Sequence, residues 1–540
     1  MAKQRSVYQD YLASARAVGY LMILLGTIML VPLTMLLFYP EERPQAPAFI
    51  LPGVLCIFAG YLIKLFTMDY PISSLKKHAG SLIVLFIWLF SSLLGSIPFY
   101  LTGDYTITQA IFESTSGLST TGFTVTDVTA TTHMVLLYRS MLQFVGGVGL
   151  VLILTSLLSS RYGIQLMTAE GHTDRLAPSP LHSARTIMFI YLGFIAAGTG
   201  LFILFGMTPF DAVNYAMCAV STGGFATHPE SLGFYHSPFI DLTAIVLMFV
   251  GGTNFMVTMY LFKGRLRSFF GHIEVRCSFL LMLFCTPIVV YQLLDSHICV
   301  NIWSALDNGF FQVVSIMTTT GYTTIDNYLL RCGYALIPIL CLMLIGGHAD
   351  STAGGIKNLR FCIAVKSLIW DVRENIFPNR LIQSREISRY GKEEPVTRNE
   401  QTQNYTYIFI YILILFAGSF GLMLCGYDFK TSFFEFASDL GNLGVSMGLV
   451  STETAAPALW IIITGMIISR LGVYIFLLGV ARILMDLEEQ AVRLRLAIER
   501  FCSRKFGRMP NPQQEAQKVR RKIRKKRRAL LKPKEPKGGE

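Results

Sequence analysis

Four short polar segments centred on glycine interrupt a chain that is otherwise apolar enough for a membrane: Ser119-Thr-Thr-Gly-Phe-Thr124, Ser221-Thr-Gly-Gly-Phe-Ala-Thr227, Thr318-Thr-Thr-Gly-Tyr-Thr-Thr324 and Gly441-Asn-Leu-Gly-Val-Ser446. Backbone that is neither helix nor closed barrel survives at membrane depth only where protein buries it or where it lines an aqueous cavity. Four such segments in one chain predict four loops around one pore.

Composition supplies the membrane. The 540 residues are 52% apolar and 15% charged. Apolar runs of about 20 residues, the length that crosses ~30 Å of hydrocarbon, recur along the chain. The run at 19–39 is too long for a signal-peptide core and has no small-residue cleavage site, so it reads as a retained span. A net charge of +12 would suggest nucleic acid in a soluble protein. Here an excess of Lys and Arg in cytoplasmic loops accounts for it. The 10 cysteines are scattered singly with no CxxC pair, which argues against disulfides and cysteine metal sites.

Spans near 17–39 and 47–67 form an N-terminal hairpin within 1–72. Lys3, Arg5 and Arg16 before it, and Lys64, Lys76 and Lys77 after it, place both its ends inside. Four units follow at 73–163, 164–270, 271–375 and 376–487, then a basic cytoplasmic tail at 488–540. Each unit reads as a span, a re-entrant polar loop and a second span; the first spans begin near 79, 186, 277 and 404, the second near 133, 238, 334 and 456. Arg161, Arg175 and Arg185, then Lys263, Arg265, Arg267 and Arg276, then the cluster at 366–398 fall between units. Asp104, Asp127, Asp211, Glu230, Asp307, Asp326 and Glu453 mark the opposite side. The expected fold is an all-α integral membrane protein, a hairpin plus four membrane-pore-membrane repeats, with about ten transmembrane helices and four pore helices. A two-span unit encloses no pore alone, so the four must close around an axis.

Half-spanning helical stretches precede the loops, at 105–118, 209–220, 302–317 and 430–440. Their C-terminal ends aim at the loops, and the negative ends of their dipoles favour a cation there. The candidate filter residues are Thr120, Thr121, Gly122 and Phe123; Thr222, Gly223, Gly224 and Phe225; Thr319, Thr320, Gly321 and Tyr322; and Asn442, Leu443, Gly444 and Val445. Glycine opens backbone conformations closed to other residues, and Thr and Ser add hydroxyl oxygens. Together they can offer rings of oxygen that replace a cation's hydration shell. One Thr-Thr-Gly alone would be an ordinary turn; its repetition after a half-length helix argues for a filter. Val445 stands where the other three have an aromatic, so the symmetry is approximate.

The second spans carry paired glycines in Phe144-Val-Gly-Gly-Val-Gly149, Phe249-Val-Gly-Gly-Thr-Asn254 and Leu344-Ile-Gly-Gly-His-Ala-Asp350. Close helix packing accounts for any one pair. The third copy continues as Gly346-Gly-His-Ala-Asp-Ser-Thr-Ala-Gly-Gly-Ile-Lys357, too polar to face lipid as a helix. It is expected to break and face the pore, with Gly346, Gly347, Asp350, Ser351, Thr352, Gly354, Gly355 and Lys357 as candidate gate residues. The alternative is a cytoplasmic surface loop. Arg470 is the lone charge in the last long apolar run, at a cost of about 3 kcal/mol on insertion scales if it faced lipid. It reads as an electrostatic barrier below the filter, paired with Asp350 or with carbonyls of the broken helix, or else as half of a static ion pair. Glu113 and Glu435 lie nine residues before their filter glycines. Glu113 either pairs with Arg139 to buttress the loop or both are ordinary solvated charges.

Jointly these motifs resemble the Trk/Ktr/HKT superfamily of potassium and sodium uptake proteins, in its TrkH-like bacterial branch. The resemblance rests on Phe112-Glu-Ser-Thr-Ser-Gly-Leu-Ser-Thr-Thr-Gly122, Gln143-Phe-Val-Gly-Gly-Val-Gly149, Ser221-Thr-Gly-Gly-Phe-Ala-Thr-His228, Gly251-Gly-Thr-Asn-Phe255, Thr319-Thr-Gly-Tyr-Thr-Thr324, Asp350-Ser-Thr-Ala-Gly-Gly-Ile-Lys357 and Gly444-Val-Ser-Met-Gly448, and covers roughly 10–487. It implies a homodimer in the bacterial cytoplasmic membrane, both termini cytoplasmic, with a potassium path through each protomer. It also implies that 346–355 is an intramembrane gating loop contacted by Arg470, and that Gly122, which can be Ser in plant sodium-transporting relatives, favours potassium. The alternative is a cation transporter of the same fold that is sodium-permeable or coupled to protons or sodium as a symport. No covalent cofactor is implied, potassium at the filter is the only metal, and nucleotide belongs to a separate cytosolic regulatory ring. Two features depart from the family: Gly472 stands where many relatives have Glu, and a basic run fills 518–528. That run reads by default as a positive-inside anchor; anionic lipid is its functional alternative, ahead of nucleic acid.

Other function classes fit less well. An ion-coupled carrier of organic solutes typically uses two inverted repeats rather than four of one orientation. No HExxH, nucleophile elbow, Walker segment or regularly spaced Arg helix appears, which argues against a membrane enzyme and a voltage sensor.

Overall fold

A computed structural model describes residues 7–68, 80–149, 180–325, 333–377, 385–390 and 392–506. Lys3, Arg5, Lys76, Lys77, Arg161, Arg175, Asp326 and the basic run at 518–528 lie outside the described residues. The chain divides into a unit over Met1–Phe476 and a second over Leu477–Glu540. Within the second unit, residues 477–506 are helical.

The hairpin pairs helices Val7–Leu30 and Ala46–Phe66. Glycines let the two backbones touch: a Cβ on Gly19 would stand 3.0 Å from the Gly60 carbonyl oxygen, and one on Gly26 would stand 2.6 Å from that of Gly53. Such close approach is the usual basis of helix association in lipid, where no hydrophobic force draws helices together. Leu51, Phe58 and Phe66 are exposed on this hairpin, as side chains facing hydrocarbon should be.

Four repeats follow. Six helices among the described residues are long and apolar enough to cross a membrane, and they are the two of the hairpin and the first span of every repeat: Val84–Thr102, Arg185–Leu204, Ile273–Asp295 and Arg398–Leu424. The pore helices are Ile107–Ser119, Pro209–Val220, Ile302–Met317 and Phe429–Leu440. Twelve residues at 1.5 Å each reach about 18 Å, half a bilayer. Three start at a capping side chain: Thr106, Thr208 and Asp428 accept from the backbone N–H of Gln109, Asp211 and Thr431.

The second spans behave differently from the first. The sequence predicts a break in the third only, but a helix ends at glycine in each of them. Helix His133–Val148 ends at Gly149, Pro238–Gly251 at Gly252, Leu336–Ile345 at Gly346 and Ala456–Leu471 at Gly472. Gly149, Gly346 and Gly472 have positive φ, a conformation that excludes helix continuation and that glycine adopts without strain. A second departure from the all-helical expectation is a small antiparallel hairpin, Glu386–Arg389 with Lys392–Pro395. Ile387 anchors it in a cluster with Ile273, Cys362, Ile363, Trp370 and Val396.

Candidate functional site

Each pore helix ends in the same way. The N–H groups of Thr121, Gly223, Thr320 and Leu443 donate to the carbonyls of Ser116, Cys218, Ser315 and Ser438 at 3.0, 2.9, 2.9 and 3.0 Å. Those of the preceding residues donate to Gly117, Ala219, Ile316 and Asp439 at 3.1, 3.1, 3.1 and 3.0 Å. This is a Schellman closure, which needs a left-handed residue. Glycine usually fills that place, but here it is Thr120, Thr222, Thr319 and Asn442, with φ of 58°, 51°, 54° and 52°. Left-handed backbone in a Thr is uncommon, and such strain persists only where the surroundings over-determine it. Two residues later Gly122, Gly224, Gly321 and Gly444 return to positive φ, at 92°, 78°, 86° and 73°.

The four segments close on one another. A Cβ on Gly122 would collide with the carbonyl oxygen of Gly223, one on Gly224 with that of Thr320, one on Gly321 with that of Leu443, and one on Gly444 with that of Thr121. Every contact runs to the next repeat in chain order and the last returns to the first. The result is a ring. On one side a cavity of about 570 Å³ is lined by Gly122, Gly224, Gly321 and Gly444 together with Asp127 and Glu230. A water's share of liquid volume is about 30 Å³, so a cation fits there with its hydration shell. The Thr129 hydroxyl and N–H, both donating to Asp127, hold its carboxyl below the usual carboxylate range, so this mouth keeps a negative charge.

The residues behind the ring are buried and polar. Glu113 and Arg139 form an ion pair at 2.7 Å, at 0% and 1% exposure, which excludes the solvated alternative. The Glu113 carboxylate also accepts from the Thr124 hydroxyl and the Val125 N–H, so it staples the chain leaving the ring. Arg139 adds the Thr124 hydroxyl and stacks over Phe225 of the next repeat at 4.2 Å. Glu435 staples its own segment in the same way, accepting from the Ser446 hydroxyl and the N–H groups of Met447 and Leu449. The same position in repeats 2 and 3 holds Tyr215, which donates to the Ser231 carbonyl, and Gln312, which donates to the Thr324 hydroxyl. Phe123, Phe225, Tyr322 and Val445 are all buried as packing behind the ring. Gln143, which is not among the candidate residues of the sequence, is a site residue in the structure. Its amide grips both sides of Gly224, donating to the Gly223 carbonyl at 2.6 Å and accepting from the Phe225 N–H at 3.0 Å. The available signal was an uncharged polar residue four positions after Arg139 on one face of an apolar helix.

The paired glycines receive the ends of the pore helices. A Cβ on Gly146 would collide with the Leu118 carbonyl of its own repeat, and one on Gly147 would press on Ser221 of the next; Gly251 and Gly252 meet Val220 and Thr318 in the same pattern. In the third copy the chain doubles back instead, and Gly346 lies against Gly354 and Gly355.

Segment 346–355 sits on the other face of the ring. The Thr352 side chain, fully buried, lies 3.0 Å from the Thr222 hydroxyl and donates to the Gly251 carbonyl at 2.9 Å. The Gly354 N–H donates to the Thr319 hydroxyl at 2.7 Å, and a Cβ on Gly354 would collide with the Gly441 carbonyl. Arg470 completes the layer. Its guanidinium donates to the carbonyls of Thr352 at 3.1 Å and Gly147 at 3.1 Å, to that of Gly146, and to the Thr120 hydroxyl at 3.4 Å. One guanidinium thus joins the end of the repeat 1 second span to segment 346–355. Asn442 donates to Ser119 and Thr121 and accepts from Ser469, joining repeat 4 to repeat 1. Ser351 donates to the His348 carbonyl, Lys357 to that of Ala353, and the Asp350 carbonyl accepts from Phe255. Among the described residues no cluster of three or more His, Cys, Asp or Glu could hold a metal ion.

A family model described as TrkH, cation transport protein, matches residues 45–488. An uncharacterized cation transporter of Methanocaldococcus jannaschii is 30% identical over 442 residues, covering 81% of this chain and 88% of that protein. The Trk system potassium uptake protein TrkH of Escherichia coli is 29% identical over 482 residues, covering 86% and 97%. The crystal structure of the potassium transporter TrkH from Vibrio parahaemolyticus superposes with a TM-score of 0.77 at 26% identity, covering 86% of this chain and 98% of that one.

Proposed function

The chain belongs to the TrkH family of cation transport proteins, and from that premise we propose that it carries potassium inward across the cytoplasmic membrane through the ring at Gly122, Gly224, Gly321 and Gly444. One observation carries this reading: four equivalent segments, each with the same left-handed step, meet in a closed cycle at the ends of four half-length helices. Backbone and hydroxyl oxygens held rigidly on four sides of an axis can replace the water of a cation without a charged ligand. In this reading 346–355 obstructs the path below the ring, and Arg470 holds it there while repelling cations. The membrane potential drives uptake, since one charge crossing 100 mV gains about 2.3 kcal/mol. Both termini are cytoplasmic, the functional unit is a homodimer, and a cytosolic nucleotide-binding ring moves the gate, in keeping with relatives named as members of a Trk system. The fourth segment, Asn442-Leu443-Gly444-Val445, departs from the Thr-Thr-Gly-aromatic pattern. That favours a second reading, a pore that also passes sodium or couples it to potassium.

The test is tracer flux into proteoliposomes holding the full chain, under an inside-negative potential. Rubidium uptake blocked by excess potassium and not by sodium is the expected result, and equal uptake of rubidium and sodium would select the second reading. Absence of both fluxes in the wild type, in Arg470→Ala and in a variant shortened within 346–355 would overturn the pore itself.

A further inference from the structure

Segment 346–355 and the start of the helix after it are held by one residue that the ring does not involve. Glu274, at 1% exposure, begins the first span of repeat 3. Its Oε1 accepts from the Ala349 N–H at 2.8 Å, on the limb entering the segment, and from the Leu359 N–H at 3.0 Å, on the limb leaving it. One turn further along the same helix Ser278 repeats the pattern, lying 2.8 Å from His348 Nε2 and accepting from the Asn358 side chain at 2.8 Å. The limbs are also tied to each other, Asn358 N–H to the Gly347 carbonyl at 2.9 Å. Asn254 then holds the opposite side of Ala349: its Nδ2 donates to the Ala349 carbonyl at 2.9 Å, while its Oδ1 caps the helix Phe255–Phe262. Both backbone polar groups of Ala349 therefore end on buried side chains, Glu274 and Asn254.

The small β-hairpin reaches this point. Tyr390, left-handed at φ 51° between its two strands, accepts from Asn254 Nδ2 at 3.4 Å and packs its ring 5.1 Å from that of His272. His272 in turn stands 3.8 Å from the second oxygen of Glu274, Oε2.

We propose that Glu274 and Asn254 are the positioning residues of the gate, a clamp on Ala349 that seats Thr352 and Gly354 against the ring, and that Tyr390 is the contact through which the 386–395 hairpin bears on the clamp. This rests on the gate reading above. Releasing Glu274 loosens both limbs at once, because the same oxygen serves both, whereas releasing Tyr390 removes only a support behind Asn254.

The experiment compares full-length wild type, Glu274→Ala, Glu274→Gln, Tyr390→Ala and Arg470→Ala in proteoliposomes, reading rubidium uptake and amide hydrogen exchange. Glu274→Ala is expected to raise uptake at least about fivefold, within the range of typical coupling between sites, and to speed exchange within 346–359. Glu274→Gln keeps an acceptor oxygen and should return both readings close to wild type. Tyr390→Ala should move both in the same direction by less. Exchange in Glu274→Ala that is unchanged at 346–359, or that rises equally in the pore helices, would overturn the clamp, and an unaltered Tyr390→Ala would remove the hairpin from it. Uptake raised by Arg470→Ala but not by Glu274→Ala would sink the clamp and leave the gate. Faster exchange at 346–359 with no gain of uptake in either variant would sink the gate and leave the clamp.

Discussion

In the ring, one conformational step is made four times, by Thr120, Thr222, Thr319 and Asn442, each followed two residues later by a glycine of positive φ. One layer below, the hydroxyls of Thr120, Thr222 and Thr319 meet Arg470, Thr352 and Gly354, which come from repeats 4, 3 and 3. The upper layer repeats a structure and the lower one does not. A hydration shell is replaced well only from several sides at once, so a ring gains from equivalent parts. An obstruction gains from being single, because one element with two seats can be moved by a modest free energy while four would have to move together. Repetition of a two-span unit supplies the first arrangement, and the second is where the polar third copy doubles back under the ring.

Within the ring, repeats 1 and 4 sharpen the contrast, since Glu113 has a guanidinium and Glu435 has hydroxyl and backbone donors. The largest expected effect comes from breaking that pair. Arg139→Ala strands a buried carboxylate and should cost about 3–5 kcal/mol of stability, measured as a fall in thermal midpoint in detergent; Glu435→Gln, which strands no charge, should cost far less. Gly122→Ser comes next. Its Cβ meets the Gly223 carbonyl at a φ of 92°, and the distorted ring should lose about tenfold in rubidium over sodium preference, roughly 1.4 kcal/mol; unchanged relative fluxes would remove Gly122 from the ring's function. For the lower layer, Thr222→Val deletes the hydroxyl bonded to Thr352 at a cost of about 1 kcal/mol, and should raise resting rubidium uptake severalfold with selectivity intact. A loss of selectivity there would mean that the two layers are not separable. The smallest effect is at the mouth. Asp127→Asn should lower uptake at low ionic strength by less than about twofold and have no effect near 0.15 M salt, where charges beyond ~8 Å are screened. Because hydrogen bonds from Thr129 lower the Asp127 pKa, its carboxylate stays charged as pH falls from neutral into the mildly acid range. The difference from Asp127→Asn should therefore persist there and vanish only below that depressed value.

Local composition carried much of this. The four polar segments, the half-length helices before them and the polar third copy are visible because each concentrates glycine and hydroxyl residues within a few positions of an apolar run. The pairing of Glu113 with Arg139 was one of two readings, and only burial decided it, since the pair spans 26 residues of sequence. The helix ends at Gly149, Gly252 and Gly472 are not legible in the sequence, where a glycine in a membrane helix reads equally well as packing. The hairpin at 386–395 lies in a charged stretch whose strand character depends on burying Ile387 against a distant helix.

By itself the sequence determined that this is a membrane chain of repeated two-span units with a glycine-centred loop in each, because hydropathy and backbone permissiveness are properties of neighbouring residues. The tertiary structure alone decided the cyclic order in which the glycines meet carbonyls, the seat of Thr352 and Gly354 under the ring, and the grip of Glu274 on both limbs of one segment. Those contacts join residues tens to hundreds of positions apart, and nothing in a local pattern states which of many buried polar groups will find which partner until the helices have packed.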